Sequence, residues 1–185
     1  MEHLNAFSDY DKWSEISKQS IFEAWVPYVS DRPLQFFIPK HGSDNEGYLT
    51  DVIADSTNES EHKIVTELKR RRVLILTSDE LCKSKTFPDI LVAKIVSIKE
   101  RHREQNWYKN HLVNDTHPLY VHLGKDVTGE ESYINLAQPM TIGKKMLIQN
   151  YNKVLGPDRM ALVEDRYARL VSLGVIKTAD QAVNE

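Results

Sequence analysis

Four consecutive cations, Lys69, Arg70, Arg71 and Arg72, run directly into the apolar residues Val73, Leu74, Ile75 and Leu76. Guanidinium groups grip phosphate oxygens two at a time, so such a cluster at the mouth of a rigid strand suits a phosphate-bearing chain. The same run also works, with no ligand at all, as a solvated stop to a buried strand. Further along, Trp107 and Tyr108 offer flat faces on which unpaired bases stack, or else an anchor that holds their loop to the core. His102, His111, His117 and His122 follow no compact metal-ligand spacing and no cysteines accompany them, so neither a metal nor another cofactor is expected. The single cysteine, Cys82, sits in a polar stretch; it excludes an internal disulfide and fits a reducing compartment.

These side chains need a scaffold. The 185-residue chain, 41% hydrophobic with a formal net charge of -3, is long enough for one core with an appendage and has no global attraction to nucleic acid. Any RNA or DNA contact must rest on a local patch. No apolar stretch is long enough to cross a membrane and the first residues lack the pattern of a signal peptide, so a cytoplasmic protein without membrane contact is expected.

Over residues 8–30 the apolar residues Trp13, Ile16, Ile21, Phe22, Trp25 and Val26 recur at near-helical spacing behind a capping Ser8. That spacing predicts an amphipathic helix or helix pair, stopped or kinked ahead of Pro27. Residues 33–38 read as a strand, and the Gly-, Ser-, Asp- and Asn-rich residues 40–46 as a loop and domain boundary. The expected organisation is a helical amino-terminal extension over 1–45, a main domain over 46–175 and a polar tail over 176–185. Strands are predicted at 47–54, 73–76, 90–97, 118–123 and 132–136, with Gln138, Pro139 and Met140 breaking the pattern before 141–147. Polar loops are predicted at 56–61 and 77–88, a long loop with some helix at 98–114, and a turn at 125–131; residues 63–68 fit either a short helix or more loop. Pro157 opens a helix whose apolar stripe, Met160, Leu162, Val163, Tyr167, Leu170 and Val171, runs up to Gly174. The sum is a mainly β protein with helices, a small, partly open barrel with one packing helix.

Three blocks give the main domain a resemblance to the MazF/PemK family of toxin endoribonucleases. Residues 71–79, Arg-Arg-Val-Leu-Ile-Leu-Thr-Ser-Asp, are similar to the family's Arg-Pro followed by an apolar strand and a polar turn. Residues 88–97 resemble its next strand, and residues 132–147 its strand, glutamine, Arg-Thr pair and basic-plus-leucine tail. Residues 47–55 look like its opening strand and Ser60-Glu61-His62 like its Gly-Ser-Glu-Gln loop. The resemblance implies an SH3-like barrel with an added helix and a homodimer. It also implies metal-independent cleavage of single-stranded RNA, controlled by an antitoxin protein whose extended tail fills the RNA groove. The family's catalytic arginine falls on Arg71, and its functional threonine on Val96 with Ser97 adjacent; Met140 stands where the family has arginine, and Arg72 where it has proline. Lys69, Arg70, Arg72, Gln138 and Thr141 are the expected RNA contacts.

Cutting RNA without a metal uses the neighbouring 2′-hydroxyl as nucleophile. It needs a proton acceptor, a proton donor for the leaving oxygen, and positive charge for the phosphorane. Arg71 meets the last need, and its high pKa disfavours an acid role. Glu61 or His62 is the candidate base, Ser97 supplies a hydroxyl, and Gln138 either binds a base edge or phosphate or is a strand-end amide bonded to backbone. The rival expectation is a catalytically silent barrel that binds RNA or a protein partner, consistent with Val96 and Met140.

Overall fold

A computed structural model describes residues 6–28, 35–43, 45–51 and 63–173. They form two compact units, one drawn from Met1–Ala24 and Arg71–Glu185, the other from Trp25–Arg70. The chain is mainly β, with strands β1 (Ser20–Tyr28), β2 (Gln35–Pro39), β3 (Gly47–Thr50), β4 (Lys63–Val65), β5 (Glu67–Ile75), β6 (Asp89–Ser97), β7 (Tyr120–Leu123), β8 (Ser132–Gly143) and β9 (Leu147–Val154). A six-stranded antiparallel sheet has the order β7-β8-β6-β5-β1-β9, consistent with a partly open barrel, and a three-stranded sheet has the order β3-β2-β4. The helices are α1 (Asp79–Lys83), α2 (Glu100–Arg103), α3 (Lys125–Thr128), a π-helical turn (Trp107–Leu112) and the long carboxy-terminal α4 (Pro157–Leu173). No described helix is long and apolar enough to cross a membrane.

The core of the first unit forms where one face of the large sheet meets α4. Ile21, Leu74, Ala93, Ile95, Val121, Leu123, Ile134 and Leu136 pack there with Leu155, Met160 and Val163. Val73, Ile75 and Val92, pointing to the other face, are buried as well. The continuous apolar run in β5 is therefore buried on both sides, as an unalternating run requires.

Residues 20–28 correct the expected amino-terminal helix. Among the described residues of this region only the short 3-10 turns Ala6–Ser8 and Tyr10–Glu15 are helical, and Ser20–Tyr28 is a strand paired with β9 through Ser20–Val154, Phe22–Asn150 and Ala24–Leu147. Phe22, Ala24 and Val26 are buried while Glu23 and Trp25 are half-buried, a period of two that the near-helical spacing masked. β-branched and aromatic residues favour that outcome, and Pro27 sits near the strand end, where a missing N–H costs least. The second unit holds the smaller sheet, in which β2 pairs with β3 through Phe37–Leu49 and with β4 through Phe36–Ile64. The stretch that composition marks as a boundary falls between the paired strands β2 and β3 of one antiparallel sheet.

Cys82 lies in α1 rather than in open loop; it is buried, and burial pushes its thiol up to about 11. Beside it Lys144 is fully buried, donating to the carbonyls of Leu81 at 2.7 Å and Ser84 at 2.8 Å, with its ammonium 4.4 Å from the Trp13 ring centre. Those bonds satisfy carbonyls at the end of α1 that have no helical partner.

Candidate nucleic-acid interface

Strand register sorts the candidate residues onto two faces. Val73 pairs with Lys94, Lys94 with Asn135, and Asn135 with Tyr120; one step on, Val96 pairs with Tyr133 and Tyr133 with His122. Side chains two apart on a strand share a face, so exposed Arg71 lies on this one, with Lys94, Asn135, Tyr120, Val96, Tyr133 and His122. Arg72 and Ser97 take the opposite face, alongside Ile95 and Ser132. The sequence-expected pair of Arg71 and Ser97 is thus not brought together; Val96 occupies the Arg71 side.

On its own face Arg72 is engaged through both terminal guanidinium nitrogens. One guanidinium nitrogen donates to the Thr128 carbonyl at 2.8 Å, and the other donates to the Ser97 hydroxyl at 2.9 Å and is ion-paired with Glu130. Ser97 in turn donates to Glu130 at 2.8 Å, and that bond, with Arg72, holds the Glu130 carboxyl below its ordinary range. Gly129 makes the geometry possible, because its φ of +79° turns the chain out of α3 and on into Glu130.

Gln138 lies where β8 bulges. Between the Lys94–Asn135 and Val92–Met140 pairs β8 advances five residues (135 to 140) against two along β6 (94 to 92). The break at Gln138, Pro139 and Met140 is therefore an irregularity inside one strand, which tolerates a proline with no N–H to give. Exposed Gln138 accepts from the Lys94 ammonium at 3.2 Å, joining the Arg71 face, and Thr141 is exposed opposite Leu91. In the second unit the Lys69 ammonium lies 3.4 Å from the Tyr28 ring centre, and Arg70 is exposed on β5. Glu61 and His62 lie outside the described residues.

Sequence reasoning missed two constellations. Glu131 accepts from the Tyr108 hydroxyl at 2.7 Å, bonds His122 Nε2 at 2.9 Å and pairs with Arg103 at 2.5 Å. Burial raises its pKa, but these three partners outweigh burial and hold the carboxyl below its usual value. Tyr108 is thereby an anchor for its loop.

The second is a cleft of about 520 Å3 walled by Trp107, His117, Tyr120 and Tyr133, with Arg101, His102 and Gln105 on its polar side. Trp107 stands edge-on to Tyr120 at 5.7 Å and Tyr133 at 5.6 Å, while His117 stacks on Tyr120 at 4.1 Å and 7°. A π-helical turn presents Trp107, a local geometry that recurs at functional sites. Only the aromatic spacing around residue 107 hinted at this cleft. Among the described residues no group of His, Cys, Asp or Glu could hold a metal ion.

His117 Nδ1 accepts from the backbone N–H of Leu119 and of Tyr120, both at 3.1 Å. Burial, with Arg166 and His111 nearby, pushes this imidazole down to about 4. The unfolded chain binds a proton at this residue near pH 6.5 that the folded ring refuses, so stability is to fall between pH ~6.5 and ~4 and stay level above. An NMR titration placing the His117 midpoint near 4 checks this, and a midpoint above 6 contradicts it.

No family model matches the chain, and no curated protein sequence matches it. Among solved structures it is similar to an endoribonuclease in complex with its cognate antitoxin from a mycobacterial species. That match has 12% identity over 88% of this chain and 97% of the other, with a TM-score of 0.43. It is also similar to an endoribonuclease from a mycobacterial species, with 17% identity over 59% of this chain and 85% of the other, and a TM-score of 0.41.

Proposed function

We propose that the protein is a toxin-type endoribonuclease of the MazF/PemK kind, cutting single-stranded RNA without a metal ion. The observation that carries this reading is the collection of Arg71, Lys94, Asn135, Tyr120, Tyr133 and His122 on one face of the large sheet. Cations along a rigid face track a phosphate chain, and aromatic rings beside them stack the bases that only an unpaired strand exposes. Sequence resemblance in the blocks 71–79, 88–97 and 132–147 adds the chemistry. The 2′-oxygen bonds to the adjacent phosphorus as the bond from phosphorus to the 5′-oxygen breaks; one proton leaves the 2′-hydroxyl and another reaches the 5′-oxygen.

Arg71 neutralises the charge gathering on the phosphorane, where a fixed guanidinium is worth most. Glu61 or His62 takes the first proton. Lys69, Arg70, Gln138 and Thr141 contact the strand, whereas Arg72 and Ser97 tie the central strands β5 and β6 to Glu130. A homodimer with an SH3-like barrel, held in check in the cytoplasm by an antitoxin lying along the same face, completes this reading.

A second reading is favoured by one observation: Val96, with no hydroxyl, takes the Arg71 side while Ser97 faces away. A silent barrel that binds RNA or a protein partner would look like this. Incubating the protein with a mixed single-stranded RNA pool in chelator, and mapping the ends, separates the two. Discrete cuts ending in cyclic phosphate are expected of the nuclease; bound but intact RNA belongs to the silent binder.

A further inference from the structure

We propose that the cleft beside Trp107 is a pocket for one unpaired guanine base. Its volume of about 520 Å3 lies within the ~300–1,000 Å3 typical of small-ligand sites. Trp107, across the edges of the stacked His117–Tyr120 pair and of Tyr133, gives a flat ring both a stacking face and a side wall. Except for Tyr133, these residues lie outside the blocks that carry the family resemblance.

The polar side of the cleft is rich in donors. His117 turns Nδ1 to two backbone amides and His102 turns Nδ1 to the Lys99 N–H at 3.2 Å, so each neutral ring carries its proton on Nε2. Arg101 adds a guanidinium fork, and no carboxylate lines the cleft among the described residues. Guanine answers this pattern with two adjacent acceptors, O6 and N7, which an arginine fork grips together. Adenine and cytosine place an amino donor on the corresponding edge and would set donor against donor. Gln105, able to accept as well as donate, suits the guanine amino group.

That the base arrives on an RNA strand rests on the nuclease reading; a free guanine nucleotide offers the same edge. Calorimetric titration of the full chain with GMP, AMP, CMP and UMP, then with uncleavable 2′-O-methyl oligonucleotides containing one G or one A, tests the pocket and its source. GMP is expected to bind at least ~10-fold tighter than AMP, and exposed Arg101→Gln to weaken GMP about 10-fold and erase the preference. A preference shared by the G-containing oligonucleotide assigns the base to RNA; one confined to GMP assigns it to free nucleotide, and either supports the pocket. GMP binding no tighter than any one of AMP, CMP and UMP, no GMP binding, or an unchanged Arg101→Gln variant overturns it. Because no ligand here is cut, a chain that binds guanine but cleaves nothing sinks only the nuclease reading, and cleavage without guanine preference sinks only the pocket.

Discussion

Arg71→Ala is expected to slow RNA cleavage by about 10²–10³-fold, the usual cost of removing one preorganised donor from a developing anion. The residue is exposed on β5, and strand parity sets it on the face shared with Lys94 and Tyr133. The fold should survive, because the substitution of an exposed side chain opens no buried cavity. Arg71→Lys should recover only part of the rate, since an ammonium keeps the charge but loses the two-pronged grip. Single-turnover rates beside denaturant midpoints check both halves. A variant that cuts at the parental rate removes Arg71 from the chemistry, and one that unfolds makes it structural.

The largest effect on stability belongs to Arg166→Ala. This arginine is only 5% exposed in the middle of α4, and its guanidinium donates to the carbonyls of Tyr120 and Asp115. Burial lowers its pKa, and the nearby Asp115 carboxylate opposes that shift. Removing it strands two acceptors and leaves a void, for an expected loss of about 3–5 kcal/mol. Tyr120 and His117 wall the Trp107 cleft, so the same change should loosen it before the chain unfolds. A urea midpoint that barely moves contradicts this expectation.

Arg166 also marks the limit of what was legible. The stripe along α4 was visible in Met160 and Val163, both buried, but a stripe read from apolar residues passes over an arginine buried on the same side, while Val171 is 61% exposed. The β5 and β6 strands were readable because Val73, Leu74 and Ile75, and then Ile90, Val92 and Ala93, form unbroken apolar runs. β1 was not, because Trp13, Ile16, Ile21 and Phe22 mimic a helical repeat across what are one short turn and a strand. Arg71 could be picked out from the cation run, yet only register shows that Arg72 and Ser97 point away from it. The Trp107 cleft joins residues from four separate segments, a proximity created by pairing β7 with β8, which no local pattern encodes.

The face carrying Arg71 is tested most directly by titrating the isotopically labelled protein with an uncleavable single-stranded RNA and following amide and aromatic resonances. Shifts concentrated at Arg71, Lys94, Tyr120, Tyr133 and Asn135, with Arg72, Ser97 and Ser132 on the far side quiet, are the expected result. Shifts confined to the far side or to the β3-β2-β4 sheet, or none at saturating RNA, would contradict it.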